Sequence, residues 1–197
     1  MVSLRQSQAL ATRQRLVDVA TELFATEGFS SVTTTSLSEA AGVTRGALYH
    51  HFTNMTEVME AVFERAEGTL VADVKRSLEA INGPRRRLLS IGSVVLEAML
   101  RKPDVQRIAF VEAPAALGWT RWRAIDRGRS LRLIQDLLEE LDGLGELVDG
   151  IEPQVAAQLI LGAINEAGMH AAAKGHSSRA AHQLALLCRG LLRHRND

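Results

Sequence analysis

The segment TTTSLSEAAGVTRGALYHHF, residues 33–52, carries the signals for two short helices joined by a tight turn. A hydroxyl group of Thr33 or Thr34 can cap the first helix, and Gly42 is suited to end it. Thr44 is a good N-cap for a second helix that continues to His51. The inward residues of the pair are small or apolar, which allows close packing of one helix on the other: Leu37, Ala40, Ala41, Val43, Ala47, Leu48 and Phe52. The segment therefore predicts a helix-turn-helix.

The second helix leaves Thr44, Arg45, Gly46, Tyr49 and His50 on its outer face. An α-helix fits the major groove of B-DNA, and the second helix of a helix-turn-helix places its N-terminal residues against base edges. Arg45 can donate two hydrogen bonds to guanine, and Tyr49 or His50 can reach phosphates. Gly46 lets the backbone approach closely. These residues are predicted DNA contacts, whereas His51 fits an interior position equally well.

Helical spacing of apolar residues extends on both sides of this segment. A first helix is predicted from about residue 7 to 27, where Gly28 can form its C-cap, and Asn54 with Glu57 has the form of a capping box for a long helix to about residue 80. Further helices are predicted at about residues 85–101, 104–113, 119–141, 153–173 and 177–193, with boundaries marked by Pro103, Pro114, Gly143, Gly145, Pro153 and Gly175. No strand-like alternation is convincing. We predict an all-α protein with a three-helix domain at residues 7–54 and a helical domain at residues 55–197.

The charge of the chain sets a limit on how it can bind DNA. Lys plus Arg and Asp plus Glu both number 23, so no overall positive field draws the protein onto nucleic acid. The first 54 residues are also balanced, with Arg5, Arg13, Arg15 and Arg45 against Asp18, Glu22, Glu27 and Glu39. Affinity for DNA must come from the placement of individual groups.

The remaining composition favours a cytoplasmic protein that has no metal site and no cofactor. No segment resembles a signal peptide or approaches the ~20 apolar residues of a membrane span. His170, His176 and His182 recur every six residues, a spacing that does not align imidazoles on one helix face. No nucleophile elbow, metal-ligand cluster or phosphate loop is present, so we do not expect an enzyme. The alternative is a helical carrier or enzyme that binds no operator.

Residues 13–62 resemble the tetracycline-repressor (TetR) family. The resemblance rests on motifs that occur together and in order: Gly28-Phe29, Ala41-Gly-Val43, Leu48-Tyr49, His51-Phe52 and a helix started by Asn54. It implies an Ω-shaped helical dimer that represses transcription from double-stranded operator DNA, and a C-terminal domain that dimerises and binds a small effector which relieves repression. By position it implies DNA contacts from Thr34, Thr44, Arg45, Tyr49 and His50.

The full set of candidate DNA contacts adds Thr33, Gly46, Ala47 and Met55. At Met55 the chain departs from the family pattern, which usually has lysine just after the cap of the fourth helix. A charged phosphate contact is lost there, although the helix N-terminus still offers amide groups to phosphate.

Two regions of the second domain are candidates for binding. Trp119 and Trp122 lie three residues apart, hence on one helix face, and either pack in the core or line an effector cavity. The candidate lining residues are Met99, Phe110, Glu112, Trp119, Trp122 and Ile125, a mainly apolar set that suits a small apolar or amphipathic effector. The last two helices are rich in small residues and predict a two-fold four-helix interface, with an intramolecular bundle nearly as good. The candidate interface residues are Leu159, Ala163, Ala167, Leu184, Leu187 and Leu191.

Overall fold

The computed structural model describes residues 4–174 and 178–194, and within them the chain forms nine α-helices and no β-strand. The helices are α1 (Leu4–Thr26), α2 (Thr34–Ala41), α3 (Arg45–His51), α4 (Met55–Glu79), α5 (Pro84–Arg101), α6 (Pro103–Arg107), α7 (Ala113–Gly143), α8 (Pro153–Lys174) and α9 (Ser178–Arg189). A 3-10 turn, Phe29–Ser31, follows α1, and a π-helical turn, Ile108–Glu112, joins α6 to α7. The all-α prediction is confirmed. The boundary at Gly175, the predicted start at residue 177, His176 and the last three residues lie outside the described part.

The first three helices pack around one small core, and their ends are capped as the sequence predicts. The Thr33 hydroxyl accepts the backbone N–H of Ser36 at 3.1 Å and so caps α2. Gly42 ends α2 in the left-handed conformation, with φ 62°, and Thr44 caps α3 by accepting the N–H of Ala47 at 3.1 Å. Ala40 was expected to face inward, but it is exposed, because the buried stripe of α2 runs through other residues: Leu37, Ser38 and Ala41.

Helix α4 begins beside the helix-turn-helix and continues into the second half of the molecule. The Asn54 side chain accepts the N–H of Glu57 at 2.9 Å and so caps α4 as predicted, but the Glu57 carboxylate accepts the N–H of Thr53 at 2.6 Å instead of that of Asn54, so the predicted capping box is only half formed. Further along α4, Arg65 forms an ion pair with Asp18 of α1. At 1.5 Å per residue the 25 residues of α4 span about 37 Å. One continuous helix therefore connects both parts of the molecule.

Pro114 lies at the start of α7, but the helical backbone is not interrupted there as predicted. The chain passes through Pro114 within the first turn of α7, and the break comes at Gly118, where φ is 73°. Proline has no N–H, so the residue five positions earlier, Ala109, loses the partner that π-helical bonding would give its carbonyl. The indole N–H of Trp122 donates to this carbonyl at 2.8 Å. The π-turn and the buried Trp122 together allow the helix to continue.

The second half of the molecule is a bundle of α5, α7, α8 and α9 packed against the far end of α4. Helix α9 lies close to α5, where a Cβ on Gly92 would come within 2.9 Å of the Leu184 side chain. Near the start of α5, Arg85 forms an ion pair with Glu146 at 2.8 Å and Arg87 with Glu140 at 3.5 Å.

Candidate DNA-binding surface and effector cavity

The outer face of α3 is an exposed surface on a fixed support. Thr44, Arg45, Gly46, Tyr49 and His50 are all exposed, whereas Leu48 on the opposite face is fully buried. Burial of one face fixes the direction in which the other face points. The backbone and side chains of this surface are therefore accessible to a partner with a groove that accommodates a helix.

Tyr49 is held by its neighbours on α2 and α3 although its ring is 48% exposed. Hydrogen bonds with Thr34 and Arg45, with the positive charge of Arg45, lower the pKa of the Tyr49 phenol. These contacts join the N-terminal residue of α2 to the middle of α3. The three side chains form one polar group at the exposed end of the helix-turn-helix.

Two arginines of α1 lie against the helix-turn-helix, one at each end of α3. A Cβ on Gly42 would come within 3.0 Å of the Arg15 guanidinium, so glycine serves both the left-handed backbone and this close approach. The Arg13 guanidinium lies 5.0 Å from the centre of the Phe52 ring. His51 is half buried, and this burial, followed by the charges of His50 and Arg13, lowers the pKa of its imidazole. The sequence allows either an interior or an exposed His51, and the structure places it in a partly buried position.

The remaining candidate contacts divide by exposure. Thr33 is exposed, while Thr34, Ala47 and Met55 are half buried. Met55 packs against the apolar core at the first residue of α4. Where the family pattern has a charged lysine, the Met55 side chain adds apolar contact area. The acidic Glu57 lies in the first turn of the same helix and bonds with Asn54 and Thr53.

A cavity lies in the second half of the molecule between α4, α5, the π-turn, α7 and α8. The unfilled space between its lining atoms, with the part open to solvent, is about 560 Å³, of which only a small part is wide enough for water. Three aromatic rings form one wall, which we call the aromatic wall: Phe63, Phe110 and Trp122. Trp122 stacks on Phe63 with ring centres 6.2 Å apart and meets Phe110 edge-on at 6.4 Å.

Two buried carboxylates interrupt the apolar lining of this cavity. Glu67 of α4 accepts the backbone N–H and the hydroxyl of Ser130 at 3.3 and 3.2 Å, and Arg129 lies 3.5 Å from its other oxygen. Asp126 of α7 accepts one hydrogen bond, from the Asn165 amide of α8, at 2.6 Å. Burial raises the pKa of both carboxyl groups. The lining of the cavity thus combines an aromatic surface with two acidic groups.

The structure corrects half of the predicted cavity lining. Met99, Phe110 and Trp122 line the cavity, but Glu112, Trp119 and Ile125 do not. Trp119 is 57% exposed because the non-helical Gly118 changes the direction of the chain just before it, and Ile125 faces a shallow surface depression. The sequence argument missed the acidic residues of α4 and α7, which helical spacing from Phe63 and Trp122 could have indicated: Glu67 and Asp126.

Glu112 instead lies at the junction between α1 and the π-turn. Its carboxylate accepts the backbone N–H of Phe29 at 2.8 Å and a hydrogen bond from Arg107 at 3.1 Å. Arg107 also donates to the carbonyl of Ala25 at 2.8 Å, at the C-terminal end of α1. These bonds satisfy backbone groups that the end of a helix leaves without partners. Because the π-turn also lines the cavity, it touches both parts of the molecule.

The last two helices present an apolar face that no described part of the chain covers. Leu159 of α8 is 71% exposed and Leu187 of α9 is 67% exposed, with Val155 also exposed beside them. Ala163 and Leu191 are half buried at the same groove. Two further residues of the predicted interface, Ala167 and Leu184, are buried within the chain itself, although Leu184 also lines this groove. Leu184 packs on α5, where Gly92 leaves space for it.

Residues 4–174 and 178–194 contain no helix that is long and apolar enough to cross a membrane. In the same residues, no three side chains of the metal-ligating types are grouped so that they could hold a metal ion.

A helix-turn-helix unit followed by a helical domain with an internal cavity defines the class of helix-turn-helix transcriptional regulators. Residues 16–62 match the family described as bacterial regulatory proteins, tetR family, and residues 88–194 match the tetracyclin repressor-like C-terminal domain. The chain belongs to the TetR family of transcriptional regulators.

Individual relatives agree with this assignment. The HTH-type transcriptional regulator SrpR of Pseudomonas putida is 40% identical over 81 residues, which are 38% of this chain and 38% of that protein's length. A TetR-family regulator of Pectobacterium atrosepticum is 27% identical, with a TM-score of 0.81 over 97% of this chain and 99% of that one. FadR of Thermus thermophilus, solved with lauroyl-CoA, is 23% identical, with a TM-score of 0.72 over 94% and 98% of the two chains. This last likeness shows the fold alone.

Proposed function

We propose that this protein is a ligand-responsive transcriptional repressor that binds a palindromic operator as a homodimer and leaves it when a small effector occupies the cavity. The observation that carries the proposal is the exposed face of α3. Thr44, Arg45, Tyr49 and His50 point outward from a helix whose other face is buried. In this role the protein acts in the cytoplasm beside the chromosome, with residues 7–54 as its DNA-binding domain.

The proposed DNA contacts have distinct tasks. Arg45 reads a base edge, since its planar fork of donors matches guanine in the major groove. Tyr49, held by Thr34 and Arg45, fixes the position of the helix against the phosphate backbone. Gly46 and Ala47 have no bulky side chains, so the backbone of α3 can approach the DNA closely.

The proposed dimer uses the uncovered face of α8 and α9. Monomeric proteins rarely leave large contiguous apolar patches exposed, and Leu159 with Leu187 forms the centre of such a patch here. Two copies related by a two-fold axis bring four helices together and cover the patch. A dimer also places two copies of α3 for half-sites ~34–36 Å apart, one turn of DNA.

Release by an effector follows from the tight cavity. Only a small part of the cavity is wide enough even for water, so a ligand of ordinary size can enter only if the lining elements move apart. Two of these elements, α4 and the π-turn, also contact the DNA-binding domain. The effector acts as an inducer if it binds the DNA-free arrangement more tightly than the DNA-bound one.

The experiment is a fluorescence-anisotropy titration with operator DNA obtained by selection from a random duplex library. Arg45→Ala and Tyr49→Ala should each weaken binding, and Arg132→Ala, which changes an exposed arginine of α7, is the matched control. If both α3 variants bind as well as the unchanged protein, the contacts are wrong. If no duplex is selected, the chain is a small-molecule carrier instead.

A further inference from the structure

The effector cavity has a recognisable chemistry, and the following inference rests on the proposed function of that cavity. Its lining is apolar except for a few groups, and those with charge are both acidic: Glu67 and Asp126. The two carboxylates are unequal. Only one of them has a cation close by.

Glu67 is already satisfied within the chain. One of its oxygens accepts two hydrogen bonds from Ser130, and Arg129 lies 3.5 Å from the other. Glu67 is 5% exposed, whereas the Arg129 side chain is 61% exposed, so solvent screens the charge of Arg129 in this pair. Both oxygens of the Glu67 carboxylate therefore have partners within the chain.

Asp126 is buried to the same extent, 5% exposed, but it is satisfied only in part. Asn165 donates to Oδ2, and among the described residues the carboxylate takes part in no ion pair and accepts no other hydrogen bond. Arg123 and Arg127 act on it at longer range. A buried charge without a paired cation is costly, and a cation in the cavity would remove that cost.

The aromatic wall provides the second feature of a cation site. Rings of Trp and Phe attract cations through their electron-rich faces, and several rings together bind quaternary ammonium groups in proteins. Phe63 and Trp122 are stacked, Phe110 meets Trp122 edge-on, and all three rings line the same cavity as Asp126. This arrangement does not favour anions such as the acyl-CoA ligand of the Thermus FadR structure.

We propose that the effector is a small organic monocation whose ammonium group lies against the Asp126 carboxylate and whose apolar part lies against the aromatic wall. The charge selects the ligand class, and the apolar part supplies most of the buried area. Binding turns the unpaired carboxylate of the empty cavity into one member of an ion pair.

The test compares isosteric probes on the full chain. Benzyltrimethylammonium and neopentylbenzene have the same shape and differ in charge, and 3-phenylpropanoate supplies an anion. Binding is followed by the fluorescence of Trp122 in a Trp119→Phe background, because the chain has only these two tryptophans. We expect the cation to bind at least about tenfold more tightly than the neutral probe, or ~1.4 kcal/mol, and the anion most weakly.

Asp126→Asn assigns the preference to one residue. The amide keeps the size of the side chain and can still accept the Asn165 hydrogen bond, so we expect it to bind both uncharged and charged probes with similar affinity. Asp136→Asn makes the same change at an exposed position of α7 and should keep the full preference. The probe series on the unchanged chain remains decisive if Asp126→Asn does not fold.

Failure of this inference differs from failure of the proposed function. Equal or tighter binding of neopentylbenzene, no binding of the cation, or an unchanged preference in Asp126→Asn overturns the cation inference while operator binding stands. Absence of operator binding in the anisotropy titration overturns the proposed function whatever the probes show.

Discussion

The Glu112 carboxylate accepts the backbone N–H of Phe29 at 2.8 Å, and this bond joins the π-turn to the segment that follows α1. Arg107 completes the junction by bonding both Glu112 and the carbonyl of Ala25. A hydrogen bond to a charged group contributes more than one between neutral groups. Glu112 therefore links the wall of the cavity to the DNA-binding part of the chain.

Replacement of Glu112 by alanine should lower the free energy of unfolding by about 1–3 kcal/mol, because a backbone N–H and the Arg107 guanidinium both lose an acceptor. Urea unfolding followed by circular dichroism measures the change. Glu166→Ala, at an exposed position of α8, is the control and should change little. Equal stability of the two variants would show that solvent replaces the junction bonds without cost.

The bond between Trp122 and Ala109 should be replaceable by a backbone bond. Trp122→Phe leaves the Ala109 carbonyl without its donor and should cost about 3 kcal/mol at most from that bond, plus lost packing. Pro114→Ala restores an N–H at the position that π-helical bonding uses. We expect Pro114→Ala to be less damaging, or even stabilising, in the Trp122→Phe background. A double-mutant cycle from urea unfolding measures this coupling, and strictly additive effects would contradict it.

Asp126 should make stability depend on pH. Its pKa is raised by burial, so the folded state holds a proton that the unfolded state has lost, and stability falls as pH rises from the ordinary Asp value, 3.8, through the raised value. The groups that face it are Glu67 of α4, the neutral Asn165 of α8, and Arg123 and Arg127 on its own helix.

Asp126→Asn removes that cost. The variant should be more stable than the unchanged protein at pH 7, and the difference should shrink as pH falls towards 4, because the carboxyl of Asp126 takes up its proton in the folded state before it does so in the unfolded state. Thermal unfolding at several pH values measures the difference, with Asp136→Asn as the exposed control. A difference that grows towards pH 4 would mean that the pKa of Asp126 is lowered instead.

Operator affinity should depend on salt less steeply than for a basic repressor. Each phosphate contact by a Lys or Arg adds about 0.9 to the slope of log affinity against log salt, and the first 54 residues carry only four arginines.

Removal of a base contact such as Arg45 should relax specificity at one base pair and cost ~1–3 kcal/mol on the selected operator. Titrations of Arg45→Ala at 50 to 200 mM salt, with operators varied at single positions, measure both quantities.

A charge in the uncovered face of α8 and α9 should prevent dimerisation. Leu159→Glu places a carboxylate at the centre of the apolar patch, where a second copy would have to bury it. Light scattering should then report a monomer of about 21.5 kDa. Leu144→Glu changes a leucine that is also exposed, at 62%, but lies at the end of α7, and should leave the dimer intact.

The sequence predicted those features that local chemistry decides. Caps at Thr33, Thr44 and Asn54 and the glycine turn at Gly42 depend on residues three or four positions apart, and all of them form. The helical backbone continues through Pro114 because Trp122 donates to the carbonyl of Ala109, a contact that exists only in the folded chain. Glu112 was assigned to the cavity for the same reason: its partner Phe29 lies 83 positions away.

The length of α4 has a consequence for how this chain can vary. An α-helix turns by 100° and rises 1.5 Å per residue, so one residue inserted between Val58 and Glu67 would rotate the cavity wall away from the bundle while the helix-turn-helix stayed in place. The number of residues in α4 therefore sets the rotation of its cavity-lining end relative to its helix-turn-helix end. Insertions and deletions should be tolerated in the turns after α4 and α7, and excluded from this stretch of α4.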